Sequence, residues 1–165
     1  DGFSNWGTPG QRVTRTSEAL ELITRLWTGE KVSFEGKAYN SDGAIISPVP
    51  TQKPFPPMWF GVRGPRMLDL AARYADAWIP TNISPELYED GLKKLREKRS
   101  ELGINTSLKG ALQNFDVYTE SEPCVATINS YAAAGCEYYG SIWSYPPDEM
   151  VSRIKWFSKE VMPNV

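Results

Sequence analysis

From residue 56 onward the chain alternates four times between a short apolar segment and a segment with helical spacing. Successive strands of this kind pair in parallel, because a tight hairpin cannot join parallel strands and a helix must cross over between them. The pattern therefore predicts an α/β fold, with helices packed on a parallel sheet. The predicted strands are Met58–Val62, Ala77–Pro80, Gly110–Tyr118 and Tyr138–Trp143.

Start and stop signals delimit the predicted helices. Proline follows Gly64 and Ser84, and both pairs are typical of a helix N-terminus. Glycine or proline ends the later helices. The helix after Ser84 carries Tyr88, Leu92, Leu95 and Leu102 on one face, the next runs from about Pro123 to Ala134, and the last carries Met150, Ile154, Phe157 and Val161 before Pro163.

The first 55 residues form a different region. Apolar spacing predicts a helix over Arg15–Trp27 and then a hairpin, with strands at Val32–Tyr39 and Ala44–Ser47 and a turn at Asn40–Gly43. Five prolines between Pro48 and Pro57 exclude a helix and predict an extended connection. We interpret residues 1–165 as a single domain, in which 1–55 supply a helix, a hairpin insertion and a linker, and 56–165 supply the four strand–helix units.

Four strand–helix units with a preceding helix make half of a closed barrel, which needs about 200 to 250 residues. The predicted fold is therefore the C-terminal half of a (β/α)8 TIM barrel. The chain also starts at Asp1 without an initiator Met, and we expect it to continue a longer polypeptide. Open sheet edges need a partner, so we expect an N-terminal barrel half to cover them, or a second copy of the chain in a homo-oligomer.

Composition excludes several classes of function. There is no histidine, which removes histidine-based triads and most zinc sites. The 18 basic and 20 acidic residues give a net charge of -2, which provides no basic surface for nucleic acid. Neither a bilayer-spanning apolar run nor a signal peptide is present, so we expect a cytoplasmic protein that does not bind membranes. The sequence identifies no catalytic residue and no set of metal ligands.

The strongest candidate site is the turn between the first strand of the alternating region and its helix. Backbone amides and a helix N-terminus attract an anion such as phosphate. The glycines let the backbone approach a ligand, the proline sets the first helical turn, and either arginine can add a charged contact. The alternative is a plain tight turn with two solvated arginines. The candidate residues are Gly61, Val62, Arg63, Gly64, Pro65 and Arg66.

Polar residues at the ends of the other strands should face the same rim, because the carboxyl ends of parallel strands lie together. Thr81 and Asn82 follow the second strand, Asp116–Tyr118 end the third, and Ser144 and Tyr145 follow the fourth. Asn82 is equally typical of turn and cap chemistry, and Asp116 of pairing with a neighbouring cation. We predict that Thr81 binds substrate and keep the others as rim candidates.

A series of motifs extends over nearly the whole chain. It comprises Glu18–Gly29, Val32–Gly36 with Tyr39, the proline-rich Pro48–Pro57, Trp59–Gly61, Gly64–Arg66, Leu70–Trp78 and Phe157–Pro163. Together these motifs resemble the bacterial luciferase-like oxidoreductases. The last two resemble the branch that uses a deazaflavin coenzyme, which includes methylenetetrahydromethanopterin reductases and sugar-phosphate dehydrogenases. The resemblance implies an eight-stranded barrel, of which this chain would be everything after the fourth strand.

The resemblance also implies an activity: hydride transfer between a cofactor and a small organic substrate. The preferred cofactor is the deazaflavin coenzyme F-420, with FMN as the other choice, and the loop at Gly61–Arg66 would hold its phosphate. Asn5 and Trp6 would lie at the substrate entrance. Family members hold the cofactor ring partly with the first barrel half, so we expect the isolated chain not to be a competent enzyme. The alternatives are an FMN-dependent monooxygenase and a non-catalytic truncated paralogue that dimerises or binds only flavin phosphate.

Overall fold

The computed structural model describes residues 7–115 and 119–165. Its helices are α1 (Pro9–Leu26), α2 (Pro65–Tyr74), α3 (Pro85–Glu101), α4 (Ser121–Ala133) and α5 (Pro147–Trp156). Its strands are β1 (Val32–Glu35), β2 (Asn40–Ala44), β3 (Trp59–Phe60), β4 (Ala77–Trp78), β5 (Lys109–Phe115) and β6 (Tyr138–Ile142). A π-helical turn at Phe157–Val161 and a 3-10 helix at Met162–Asn164 continue α5.

Strands β3, β4, β5 and β6 form one parallel sheet in chain order. Ala77 pairs with Trp59 on one side and with Lys109 on the other. β5 and β6 pair over five residues, beginning with Ala111 and Tyr138. One helix lies between each strand and the next, so the predicted α/β fold with parallel strands is confirmed.

The hydrophobic core lies between this sheet and the helices α2, α3 and α4. Trp78 is only 2% exposed, and its ring stacks on Tyr88 with 5.4 Å between centroids. Tyr131 meets Tyr88 edge to face at 6.0 Å. Burying aromatic side chains of this size supplies a large share of the stabilisation of such a core. The same cluster contains Phe60, Leu70, Leu92, Leu95, Leu108 and Leu112.

The opposite face of the sheet is open. Because side chains alternate along a strand, the neighbours of core residues point away from the helices. Trp59 and Tyr138 are 46% and 44% exposed, and their ring centroids lie 5.3 Å apart. Lys109 donates a 3.1 Å hydrogen bond from Nζ to the Tyr138 hydroxyl. Within the residues that the structure describes, helices therefore cover one face only.

Arg99 is the one charged side chain among the described residues that is buried, at 4% exposure. Its Nη1 donates to the carbonyl oxygens of Ala72 and Ala75, at 3.1 and 2.8 Å. Its Nη2 donates to the carbonyl oxygen of Thr106 at 3.0 Å. These bonds satisfy donors on both terminal nitrogens of the buried guanidinium, whereas its Nε has no partner among the described residues. Arg99 thus joins the C-terminal end of α2 to the loop between α3 and β5.

Glu18 joins α1 to the hairpin formed by β1 and β2. Its carboxylate accepts hydrogen bonds from the backbone N–H groups of Lys37, Ala38 and Tyr39 at 2.9, 2.7 and 3.2 Å. A Cβ on Gly36 would overlap Oε2 of Glu18, so only glycine allows this close approach. The tip of the hairpin is therefore fixed against the helix.

The predicted position of the hairpin turn was wrong. Asn40–Gly43 lies within β2, and the tip is formed instead by residues 36–39. The N–H of Gly36 donates to the carbonyl of Tyr39 at 2.9 Å, and Glu18 binds the remaining N–H groups of the tip. A contact from α1 across 20 residues therefore overrides the local turn signal.

Several element boundaries also differ from the predictions. α1 begins at Pro9 rather than Arg15, because Thr8 and Gln11 form a capping box around the N-terminal turn. β3 and β4 have two residues each, since Pro80 has no N–H to extend the ladder. In the last helix Val161 is buried whereas Ile154 is 52% exposed. Val161 lies within the π-helical turn, where the α-helical spacing that predicted a shared face no longer holds.

Candidate functional site

Hydrogen bonds from β4 and the residue after it hold the strand end and the turn between β3 and α2 in position. Nε1 of Trp78 donates a 2.8 Å hydrogen bond to the carbonyl oxygen of Val62. The N–H of Ile79 donates to the carbonyl of Phe60 at 2.9 Å. A Cβ on Gly61 would lie 3.3 Å from the carbonyl oxygen of Ile79, which is a tight contact. Gly61 therefore serves the packing of neighbouring strands, and Trp78 sets the path of the turn.

Gly64 lies at the exposed end of the same turn, where α2 begins. It is the N-cap residue with φ −66° and ψ 142°, Pro65 follows at the first helical position, and no side chain caps this end. A Cβ on Gly64 would meet no atom within 4 Å. The N-terminus of α2 thus faces open space, and the positive end of the helix dipole is available to an anion there.

Arg63 connects the turn to the loop after β4. Its Nη2 donates a 2.7 Å hydrogen bond to the carbonyl oxygen of Asn82. Asn82 has a φ of 47°, a left-handed conformation that asparagine tolerates better than most residues. Arg63 is exposed and keeps further N–H donors, because a guanidinium has five. The two strand ends are therefore joined at the rim.

Arg66 faces the N-terminal end of α1. A cavity of about 440 Å³ lies between the two helix starts and is lined by Gly64, Pro65 and Arg66 from α2 and by Arg12 and Val13 from α1. Arg66 takes part in no ion pair within residues 7–115 and 119–165. The predicted turn residues Gly64 and Arg66 thus line one cavity, and no acidic residue of the described part of the chain lines it.

The other rim candidates are placed differently. Thr81 is half-buried and forms a parallel bridge with Gln113, so it lies beside the end of β5. Ser144 is exposed after β6, and the ring of Tyr145 packs under the guanidinium of Arg153 at 4.8 Å. The structure therefore places Thr81 beside Gln113 of β5, and it gives Tyr145 a packing contact. Asn5, Trp6 and Asp116–Tyr118 lie outside the described residues.

Two residues of this region were missed by reasoning from the sequence. Trp78 was predicted only as part of a strand, and its hydrogen bond to Val62 depends on a contact across the sheet. Arg12 lies on α1, outside the helix predicted from Arg15 onward. The pair Thr8 and Pro9, an N-cap residue before a proline, is the signal that would have extended the helix to include Arg12.

Two further features bear on the class of site. Within the described residues, no group of three or more Cys, Asp or Glu side chains is arranged to hold a metal ion. In the same part of the chain no helix is long and apolar enough to cross a membrane.

The described strands and helices define an α/β protein with a parallel sheet, and a turn with two glycines and two arginines follows the carboxyl end of its first strand. The model of the luciferase-like monooxygenase family matches residues 2–161, and the chain belongs to this family. The resemblance predicted from the motifs is thereby confirmed.

Curated relatives include enzymes named for a deazaflavin. The F420-dependent glucose-6-phosphate dehydrogenase of Nakamurella multipartita is 41% identical over 113 residues, which is 63% of this chain and 33% of the relative. The phthiodiolone/phenolphthiodiolone dimycocerosates ketoreductase of Mycobacterium kansasii is 30% identical over 141 residues, which is 80% of this chain and 38% of the relative. The chain thus spans about a third of the length of these relatives.

Solved structures share the fold. An F420-dependent secondary alcohol dehydrogenase in complex with an F420-acetone adduct superposes with a TM-score of 0.82 at 19% identity and covers 99% of this chain. The coenzyme F420-dependent tetrahydromethanopterin reductase of Methanopyrus kandleri gives a TM-score of 0.72 at 17% identity over 92%. This chain covers 64% and 63% of those two chains, which agrees with the prediction that it forms part of a larger barrel.

Proposed function

We propose that this chain is the portion of a deazaflavin-dependent oxidoreductase that binds the phosphate end of coenzyme F420, and that the whole enzyme transfers hydride between the cofactor and a small organic substrate. The observation that carries the proposal is the exposed start of α2, where Gly64 leaves open space and Arg66 has no ion-pair partner in the described part of the chain. The names of the relatives and of the similar structures support the choice of F420.

The residues of the turn fit a phosphate group. The open side of Gly64 lets phosphate oxygens approach the backbone, and Arg66 adds a positive charge beside it. Trp78 and Arg63 hold the turn in place from the core and from the rim. When bound, the deazaflavin ring supplies the hydride chemistry, and the residues of this chain bind and orient the cofactor.

Thr81 is the residue that we propose for the substrate side of the site. It lies beside Gln113 at the carboxyl ends of β4 and β5, on the same rim as the turn. Its half-buried hydroxyl could orient a polar group of the substrate next to the cofactor. The other barrel half of the whole enzyme would supply the remaining contacts.

FMN is the second candidate cofactor, because the same turn would accept its phosphate and the family is described as luciferase-like monooxygenases. Binding to the 165-residue chain separates the two. We expect coenzyme F420 to quench the fluorescence of the tryptophans more strongly, at equal concentration, than FMN does. Tighter binding of FMN would favour the monooxygenase alternative, and binding of neither would contradict the proposal for this chain.

The test of the turn itself uses Gly64→Val and Arg66→Gln. Valine tolerates φ −66° and ψ 142°, and its side chain would point into open space, so the fold should be retained. Arg66→Gln should weaken cofactor binding by about tenfold or more, the loss expected for one charge-assisted contact. Gly64→Val should weaken it because the new side chain fills the space through which a phosphate would approach the backbone. The control is Arg73→Gln, an exposed arginine at the other end of α2. An affinity of Gly64→Val equal to that of the unmodified chain would return the turn to a purely structural role.

A further inference from the structure

A second cavity adjoins the proposed phosphate site. It has a volume of about 660 Å³ and lies between the first turns of α1, the tip of the hairpin and the side chain of Arg66. Arg66 lines both this cavity and the one beside Gly64. The two spaces therefore meet at one guanidinium.

Three cations line the second cavity: Arg15 from α1, Lys37 from the hairpin tip and Arg66 from α2. None of the three takes part in an ion pair within residues 7–115 and 119–165. Among the described residues, no acidic side chain lines the cavity. Glu18 interacts electrostatically with Lys37, and its two carboxylate oxygens already accept three backbone N–H groups of the tip. Three cations around one space give it a positive potential that attracts an anion.

The walls of this cavity are fixed in position. The hydrogen bonds of Glu18 hold the segment that carries Lys37, and the capping box of Thr8 and Gln11 holds the start of α1. A Cβ on Gly10 would lie 3.5 Å from Nη1 of Arg66, so the guanidinium rests against the first turn of α1. The backbone segments that carry the lining residues are therefore ordered before any anion binds, which lowers the entropic cost of binding.

We propose that this second cavity is an additional anion subsite, which binds a carboxylate or phosphate group beyond the phosphate held at Gly64. The assignment of the first phosphate rests on the proposed function, whereas the second subsite rests on Arg15 and Lys37 together with the shared Arg66. The cavity lies next to the helix starts and the hairpin rather than beside Thr81 and Gln113. It therefore suits an anionic extension remote from the reacting atoms, or a separate anionic ligand.

The experiment is a titration of the 165-residue chain with inorganic phosphate, followed by the backbone amide resonances of Gly10 and Ala38. We expect saturable shifts of both resonances. Arg15→Gln and Lys37→Gln should each weaken this binding by about fivefold to tenfold, as expected when one charge-assisted contact is removed. The matched controls are Arg73→Gln and Lys31→Gln, which alter exposed charges outside the cavity. Equal weakening by all four variants, or no saturable shift, would overturn the proposal.

Two further arms identify the source of the anion and separate this proposal from the proposed function. If saturating coenzyme F420 blocks the phosphate-induced shifts at Ala38, an anionic part of the cofactor fills the subsite. If the phosphate-induced shifts persist in the presence of coenzyme F420, a separate anionic ligand fills the subsite. Gly64→Val should leave phosphate binding at Ala38 unchanged. Failure of cofactor binding together with intact phosphate binding would reject the proposed function and retain the subsite. Intact cofactor binding without phosphate binding at Ala38 would reject the subsite and retain the proposed function.

Discussion

Arg63 and Asn82 connect the first two strand ends of the sheet. A 2.7 Å hydrogen bond runs from Nη2 of Arg63 to the carbonyl oxygen of Asn82, whose φ of 47° turns the backbone toward the guanidinium. The two residues are 19 positions apart in the chain, one in the turn after β3 and the other in the loop after β4, and the bond fixes these two segments relative to each other. The rim of the candidate site is therefore a connected structure rather than two independent loops.

Replacing Arg63 with methionine should loosen this connection. The hydrogen bond is exposed, so we expect the free energy of unfolding to fall by only about 1 kcal/mol. The free energy of cofactor binding should fall by more than the free energy of unfolding does, since the turn would lose its position on the rim. Urea denaturation and fluorescence titration measure the two effects. If the methionine variant matches Arg73→Met in both measurements, the bond does not organise the rim.

Trp78→Phe tests the support of the turn from the core. Phenylalanine keeps the stacking partner for Tyr88 but removes the Nε1 donor, which leaves the carbonyl oxygen of Val62 without this hydrogen bond. We expect a loss of about 2 to 3 kcal/mol in unfolding free energy from the missing bond and the reduced volume. Trp59→Phe on the open face of the sheet is the control and should cost less than about 1 kcal/mol. Equal losses in the two variants would argue against a special role for Trp78.

The attachment of the hairpin tip should depend on pH. The backbone N–H groups of Ala38 and Lys37 stabilise the ionised carboxylate and lower the pKa of Glu18 below its ordinary value of 4.5. A lowered pKa means that the stabilising contact is complete above pH 4.5 and is lost as the pH falls through the lowered pKa. The protection of the Lys37, Ala38 and Tyr39 amides, measured as exchange relative to the intrinsic rate of each amide at the same pH, should therefore fall in acid. Glu18→Gln should abolish this acid dependence. An acid dependence that persists in the Gln variant would show that Glu18 is not its cause.

Arg99→Met should destabilise the whole domain. The substitution leaves the carbonyl oxygens of Ala72, Ala75 and Thr106 without the donors they have in the folded chain. We expect a loss of about 3 kcal/mol in unfolding free energy, because buried acceptors are left unsatisfied. Lys93→Met on the exposed side of the same helix should change it by less than about 0.5 kcal/mol. A loss for Arg99→Met within the range of that control would show that water replaces the guanidinium.

Local sequence patterns predicted much of the fold. Tyr88, Leu92 and Leu95 of α3 are buried as their spacing indicated, and the Ser84-Pro85 signal marks the start of that helix. Leu102, predicted on the same face, is instead the C-cap residue and 37% exposed, because the helix ends before it. The order of strands follows from the same patterns, since each apolar segment is separated from the next by a helix. These features depend on neighbours within a few residues, which is why one sequence suffices to predict them.

The sequence by itself determined the α/β class, the four parallel strand–helix units and the presence of a glycine-containing turn with two arginines. Only the tertiary structure decided that Gly61 packs against a strand while Gly64 faces open space, that the hairpin tip lies at residues 36–39, and that Arg15, Lys37 and Arg66 surround one cavity. The physical reason is distance along the chain. Glu18 reaches the hairpin tip across about 20 residues and Trp78 reaches Val62 across 16, and such contacts form only when packing brings the elements together.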